Sequence, residues 1–283
     1  MRALTGFREI APRYDGFILD LWGVIHDGVT PYPGAIDCLR ALRDAGKPTV
    51  LLSNAPRRSH VAREGMRGMG IADARYTDLL TSGEQTWRML RDRDDPFFAV
   101  LGTRVFHLGP ERDRNVMEGL PLERVARPDQ AEFVLNTGPD DLSANDDITP
   151  HLGVLEACRT AELPMICANP DLEVIRGGRR VICAGLLTQH YEAMGGRARW
   201  IGKPDPAIYA PVLTRLDLPR ERVLAVGDAL RTDIAGAASV GIDSCWVLGG
   251  IHGAELAGDP ARAEAAAAAA ELAPVAALPA FVW

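Results

Sequence analysis

The chain has 283 residues, a length that suits one large domain or two modest ones with a hydrophobic core. Hydrophobic residues make up 47% of the composition and charged residues 24%, values that are ordinary for a soluble globular protein. The net charge of −7 argues against a general nucleic-acid binder, and no apolar run approaches the roughly 20 residues that a membrane span needs.

The first residues and the cysteines indicate where the protein is found. The opening stretch "MRALTGFREIAPRYDG" has no apolar secretory core, so nothing marks the chain for export. The five cysteines are odd in number and form no C-x-x-C pair, which favours reduced core thiols over a metal site or a disulfide framework. We therefore expect a cytoplasmic protein.

Short β-rich runs alternate with helical patterns along much of the chain, which predicts an α/β fold with a parallel sheet. "PTVLLSN" (48–54) is continuously apolar before its last residues, as in a strand buried on both faces. The strands predicted for this unit cover 16–20, 48–54, 222–228 and 243–249, and its helices cover 33–47 and about 230–240.

The middle of the chain is predicted to be a separate unit. Loops rich in Asp, Gly and Pro join its elements, including one over 136–147. The expected division is a core of residues 1–82 and 186–283 with an inserted α/β domain at 83–185. The strands predicted for the insert cover 97–102, 131–136 and 164–169, with a helix near 150–162. The Ala-rich run at 261–273 is predicted to be a surface helix.

Polar groups follow several of the predicted strands. Because ligands bind at the carboxyl ends of strands in open parallel sheets, we expect these groups to converge. Taken singly, each has an ordinary explanation as a turn, a helix cap or a surface loop. The groups are Asp20, the pair Ser53 and Asn54, Lys203 in "IGKPDP", and Asp228 with Asp233 in "VGDALRTDIAG".

Together these residue types suit phosphoryl transfer. A carboxylate such as Asp20 can attack phosphorus and form an aspartyl-phosphate, which divides one difficult displacement into two. Mg²⁺ prefers carboxylate, carbonyl and water ligands, which Asp20 and Asp228 can supply. A lysine and a hydroxyl can hold the non-bridging phosphoryl oxygens and offset their charge.

The set of motifs resembles the haloacid-dehalogenase superfamily and, within it, the class IIA (NagD-like, p-nitrophenylphosphatase-type) phosphatases. The likeness extends from about residue 15 to 250 and includes "CANPD" (167–171) and "AGLL" (184–187). The resemblance implies the following roles: Asp20 as nucleophile, Ser53, Asn54 and Lys203 as phosphate-binding residues, and Asp20, the Trp22 carbonyl, Asp228 and Asp233 as the metal site.

The resemblance also implies a Rossmann-like core with an inserted cap domain that closes over the site. The expected cofactor is Mg²⁺, and the expected partner is a small phosphorylated substrate rather than nucleic acid or a membrane. By the same likeness, Asn169 and Asp171 face the substrate, although a capping turn explains them equally well. A homodimer is one expectation for the oligomeric state.

One position departs from the family pattern. Members of the family commonly read D-x-D-G-V, and the second Asp protonates the leaving oxygen and then activates water. In "DLWGVIHDG" that place holds Trp22, which can do neither. Loss of a positioned acid or base typically costs about 10²–10⁴ in rate.

Three consequences of Trp22 stay open at the level of sequence. The enzyme favours leaving groups that need no proton, such as phenolic or anhydride phosphates; or His26 or Asp27 replaces the acid; or the protein is slow or has become a phosphate-ligand binder. For His26 and Asp27, an ordinary loop role is the favoured explanation.

Other candidate residues are weaker. Arg57 and Arg58 could touch an anionic part of a substrate, but a solvated helix face is the favoured explanation. The six histidines show no zinc-ligand spacing such as H-E-x-x-H. The sequence therefore predicts a Mg²⁺-dependent phosphatase, with a non-catalytic phosphate-ligand binder or scaffold as the alternative.

Overall fold

The computed structural model describes residues 1–139 and 147–283, so most of the loop predicted over 136–147 lies outside the described residues. In chain order its strands are β1 Arg2–Ala3, β2 Gly16–Leu19, β3 Thr49–Ser53, β4 Asp78–Thr81, β5 Arg104–Leu108, β6 Glu123–Val125, β7 Phe133–Asn136, β8 Met165–Cys167, β9 Glu173–Arg176, β10 Arg179–Ile182, β11 Ala198–Trp200, β12 Val223–Gly227, β13 Asp243–Val247 and β14 Ala276–Leu278. Its α-helices are α1 Ala35–Asp44, α2 Ser59–Gly68, α3 Ser82–Asp92, α4 Pro96–Ala99, α5 Leu152–Thr160, α6 Ala184–Ala193, α7 Pro206–Leu216, α8 Ala235–Ser239, α9 Gly253–Leu256 and α10 Pro260–Ala269.

The larger sheet has seven parallel strands in the order β1-β14-β13-β12-β2-β3-β4. Its central strands are buried on both faces, because alternate side chains of β2 enter different hydrophobic clusters: Phe17 and Leu19 pack in one and Ile18 in the other. The sequence prediction of an α/β fold with a parallel sheet is confirmed.

The smaller sheet has five parallel strands in the order β11-β8-β7-β5-β6, and β9 and β10 form a separate antiparallel hairpin. Strand β11 lies beyond residue 185, where the sequence analysis places the end of the insert, yet it pairs with β8 in this sheet. We propose that the inserted unit extends to about residue 200.

The strand predicted over 97–102 is wrong. Residues Pro96–Ala99 form the short helix α4, and the strand of this region is Arg104–Leu108. The cause is local, because the Asp95 side chain accepts a hydrogen bond from the Phe97 N–H and Pro96 occupies the first turn, where a helix tolerates it.

The remaining features agree with the sequence analysis in type. The helix predicted over 230–240 begins as a π-helical turn, Leu230–Ile234, before α8. The Ala-rich segment forms α10 at the surface. All five cysteines are buried and free, as predicted. Among the described residues, no helix has the length and apolar character that crossing a bilayer requires.

A close crossing joins the two units at the start of α3. The Gly83 N–H donates to the Ala55 carbonyl, and the buried Ser82 hydroxyl lies within hydrogen-bond distance of the Asn54 and Ala168 carbonyls. An ideal Cβ on Gly83 would come 2.3 Å from the backbone nitrogen of Arg57. Only glycine therefore fits at this crossing.

We expect Gly83→Ala to destabilise the protein by about 2 kcal/mol or more, because backbone atoms must move to admit the methyl group. Gly65→Ala is the matched control, since Gly65 also lies in a helix and has open space around it. That control should stabilise by about 0.5–1 kcal/mol through helix propensity. Urea unfolding of both variants measures the difference, and equal midpoints would contradict the close-crossing argument.

Candidate active site

Four strand ends bring the predicted polar residues together. Asp20 follows β2, Ser53 ends β3, Lys203 follows β11, and Asp228 follows β12. Strands β12, β2 and β3 are neighbours in the larger sheet, so their carboxyl ends share one edge. All four side chains are buried, with Asp20 8% and Lys203 3% exposed.

Lys203 is the centre of this cluster. Its Nζ donates to Asp20 Oδ1 at 2.6 Å, to Asp233 Oδ1 at 2.7 Å and to the Leu52 carbonyl at 2.9 Å. The three partners come from the ends of β2, β3 and the π-helical turn after β12. A buried ammonium needs all of its protons bonded, and this one has three acceptors.

The carboxylates outnumber this lysine. Oxygen atoms of Asp20, Asp228 and Asp233 all lie within 4.8 Å of one another, and the three residues are buried. Burial and then the Asp233 charge raise the pKa of Asp20 to about 8. Burial, followed by Asp20 and Asp233, also raises the pKa of Asp228 well above its usual value. The donor set and its excess negative charge therefore fit a hard divalent cation.

Two glycines leave room for the carboxylate of Asp228. An ideal Cβ on Gly23, where φ is +77°, would lie 1.9 Å from Asp228 Oδ2, and one on Gly250 would lie 2.0 Å from it. The same oxygen accepts a hydrogen bond of 2.6 Å from the Ile251 N–H. Gly23 and Gly250 thus allow two loops to approach the carboxylate closely.

Asn54 links the two units beside the cluster. Its Oδ1 accepts from the Lys203 N–H at 2.8 Å, and its Nδ2 donates to Asp171 Oδ1 at 2.9 Å. Asn169 Oδ1 accepts from the Asp171 N–H, which is the geometry of a capping turn. Ser53 Oγ accepts from the Ala55 N–H at 3.2 Å, so its proton is available to another partner.

Trp22 stands two residues after Asp20 and is partly buried against the hydrophobic cluster of the larger sheet. An ideal Cβ on Gly28, where φ is +82°, would lie 2.0 Å from the Trp22 ring, so the indole packs directly over this glycine. The His26 ring meets the indole edge to face, with centroids 5.5 Å apart. The indole is therefore held in one place.

His26 and Asp27 do not replace the missing acid in this arrangement. His26 is buried, its Nδ1 accepts from the Gly28 N–H, and burial lowers its pKa to about 4, so it is neutral near pH 7. Asp27 Oδ1 accepts from the Val29 and Thr30 N–H groups and closes a turn. Neither residue lines the cavity that opens over Asp20, Asp228 and Asp233.

A cavity of about 170 Å³ opens over the cluster between the two units. Trp22 and Asp171 line it, as do three ionisable residues absent from the sequence analysis. These are Glu173 on the β9–β10 hairpin, Arg231 in the π-helical turn, and His252 after β13. For His252 a signal was present, because "LGGIHG" places one glycine at the end of a predicted strand and a second directly after it.

Arg57 and Arg58 do not form a solvated helix face. Arg57 Nε donates to Asp113 Oδ1 at 2.8 Å, and Arg58 Nε donates to Glu84 Oε2 at 2.6 Å. The Arg58 guanidinium also lies 3.7 Å from the centroid of the Trp87 ring. Arg58 therefore ties the start of α2 to α3, and Arg57 reaches a carboxylate of the inserted unit.

We expect Asp228→Asn to raise the Tm of the metal-free protein by on the order of 2–4 °C, because it removes a buried carboxyl group whose ionisation is opposed by burial, Asp20 and Asp233. It should also abolish the further rise that MgCl₂ or MnCl₂ produces in the wild type. Asp27→Asn, which keeps an oxygen for its turn, should melt and respond to metal like the wild type. A full metal-induced shift in Asp228→Asn would contradict the placement of the cation site.

Comparisons with known proteins agree with this geometry. A family model described as haloacid dehalogenase-like hydrolase matches residues 17–123, and one described as HAD-hydrolase-like matches 200–274. The chain is similar to a haloacid dehalogenase-like hydrolase of Brucella suis 1330, with 32% identity, a TM-score of 0.85 and coverage of 99% of this chain and 100% of that one.

Two further relatives are also similar. Chronophin of Bos taurus is 28% identical over 263 residues, covering 89% of this chain and 86% of its own. Ribonucleotide monophosphatase NagD of Escherichia coli K12 is 27% identical over 245 residues, covering 83% of this chain and 87% of its own. The chain belongs to the haloacid dehalogenase-like hydrolases and, within them, to the NagD-like (class IIA) phosphatases.

Proposed function

We propose that this phosphatase hydrolyses small phosphate monoesters or anhydrides whose leaving group departs without a proton from the enzyme. The observation that carries the proposal is the site itself: Asp20, Lys203 and a buried acidic cluster stand together, while the position two residues after Asp20 holds an immobilised indole. The site has groups that can attack phosphorus and offset charge, but Trp22 stands where the family usually has the acid that protonates the leaving group.

In the first step a carboxylate oxygen of Asp20 attacks phosphorus. The new O–P bond forms as the bond to the leaving oxygen breaks, and the leaving group takes that electron pair. Lys203, which already donates to Asp20 Oδ1, offsets the negative charge that gathers on the phosphoryl oxygens. Ser53 ends β3, where its hydroxyl can donate to those oxygens, whereas the Asn54 amide already donates to Asp171 Oδ1 and to the Lys203 carbonyl.

In the second step water attacks phosphorus of the aspartyl-phosphate, and Asp20 leaves as its carboxylate. The water proton passes to a base, for which Asp171, Glu173 and His252 are the candidates that line the cavity. The expected cation is Mg²⁺, held by Asp20, Asp228 and the Trp22 carbonyl with Asp233 behind, and when bound it neutralises charge on the transferring group.

Trp22 sets the restriction on substrates in this proposal. Its indole N–H is not an acid at any physiological pH, so an alkoxide leaving group finds no proton at this position. A phenolate or a carboxylate leaves as a stable anion and needs none. The same indole offers a flat apolar face in the cavity, which suits an aryl leaving group.

Location and assembly belong to the same proposal. Five buried thiols are what a reducing compartment favours, and we propose the cytoplasm. The homodimer stays a prediction.

Asp20→Asn should lower Mg²⁺-dependent hydrolysis of p-nitrophenyl phosphate by at least about a thousandfold, because the amide oxygen is a poor nucleophile. Asp27→Asn, in the same loop but outside the cluster, should keep wild-type activity. The assay is release of p-nitrophenolate with and without MgCl₂, and activity that survives in Asp20→Asn would falsify the nucleophile. Beryllium fluoride binding without turnover of any phosphate ester would instead favour the non-catalytic binder.

Trp22→Asp should raise kcat/KM for an alkyl ester such as glycerol phosphate by about 10² or more, and change that for p-nitrophenyl phosphate much less. Trp22→Asn is the matched control, since it removes the indole and has the shape of Asp without the acid. Steady-state rates on both esters separate the two effects. If Asn and Asp variants gain equally on glycerol phosphate, released space rather than proton transfer is the cause.

A further inference from the structure

A second cavity, of about 80 Å³, adjoins the one over the acidic cluster. Trp22, Asp171 and Val174 line both cavities, so the indole stands at their common boundary. The far wall of the second cavity comes from Arg57 after β3 and from residues of the inserted unit. A molecule with its phosphate at Asp20 can therefore extend past the indole into this second space.

Among the described residues that line the second cavity, guanidinium groups outnumber carboxylates. Arg57, Arg112 and Arg176 line it together with Asp113. Asp113 is 2% exposed; its Oδ1 receives Arg57 Nε at 2.8 Å and lies 4.0 Å from Arg112 Nε. Arg57 and Asp113 thus neutralise each other, which leaves the Arg176 guanidinium as the charge that the described residues of this wall can offer to an anion.

Unlike Arg57, Arg176 forms no salt bridge with Asp113. It ends strand β9 of the hairpin and is half-buried. With the described residues it forms no hydrogen bond or salt bridge, although it lies close enough to Asp113 to affect that carboxyl electrostatically. A guanidinium in this position can offer two parallel N–H groups to a carboxylate or a phosphate.

A second carboxylate among the described lining residues does not neutralise Arg176. Asp171 lies on the side of the acidic cluster, where its Oδ1 accepts a hydrogen bond from Asn54 Nδ2. Apolar and uncharged groups complete the walls, among them Val174 and Ile182. Low polarity around Arg176 strengthens its attraction for an anion.

We propose that the second cavity binds an anionic group of the leaving group, so that the preferred substrates are phosphate esters carrying a carboxylate or a second phosphate beyond a planar spacer. This inference rests on the proposed function, because it places the transferred phosphate at Asp20. The spacer lies along the Trp22 indole, and Arg176 supplies the charge that selects the distal group.

Three aryl phosphates test this proposal: 4-carboxyphenyl phosphate, 1,4-phenylene bisphosphate and the neutral 4-carbamoylphenyl phosphate. The amide withdraws electrons more strongly than the carboxylate, so leaving-group chemistry alone favours the neutral ester. We expect the wild type to prefer at least one charged ester by about tenfold or more in kcat/KM, mainly through KM. The preferred ester shows whether a carboxylate or a phosphate is the distal group.

Arg176→Gln should remove that preference and leave the rate on the neutral ester unchanged. Arg179→Gln is the matched control, because Arg179 lies on the same hairpin but is exposed and lines neither cavity. Both variants should melt like the wild type. A neutral ester that is used as well as both charged ones, or a preference that persists in Arg176→Gln, would overturn the inference.

A binding measurement separates this inference from the proposed function. 4-Hydroxybenzoate and 4-hydroxybenzamide, the two products without phosphate, are titrated by calorimetry into wild type and Arg176→Gln at constant ionic strength. Tighter binding of the carboxylate that is lost in the variant supports the anionic subsite even if no ester is hydrolysed. Hydrolysis without any such difference supports the phosphatase proposal and overturns the subsite.

Discussion

The contacts of the Lys203 ammonium group hold the carboxyl ends of the central strands together around the acidic cluster. Its three hydrogen bonds join the ends of β2 and β3 and the turn after β12, and its backbone N–H is fixed by Asn54. Asp20 and Asp233 outweigh burial and raise the pKa of Lys203 well above its usual value, so the group stays charged. Removing one of these partners would leave a buried charge without compensation, which would strongly destabilise the fold.

The same contacts explain why the inserted unit bears on the chemistry. Lys203 follows β11, a strand of the smaller sheet, so the lysine enters the larger sheet's edge directly from the inserted unit. Asn54 and Arg57, after β3, reach Asp171 and Asp113 of that unit. The acidic cluster around Asp20 and these contacts of the inserted unit are consequently parts of one interface.

Much of this arrangement follows from the order of residues. Strands β2, β3 and β12 and the polar group after each could be predicted because apolar runs ending in Asp or Ser-Asn mark the carboxyl edge of a parallel sheet. The segment 97–102 could not, because its aromatic residues are typical of a strand while the Asp95–Pro96 start of a helix decides the outcome.

By itself, the sequence determined the α/β architecture, the residues at the strand ends and the absence of an acid two residues after Asp20, because each is a local pattern. Only the tertiary structure decided what surrounds Trp22. It gathered Arg57 and Arg176 around Asp113, beside the indole, from segments far apart in the chain. Such contacts depend on how the two sheets pack, because no periodicity or spacing in the sequence encodes a contact between residues more than fifty positions apart.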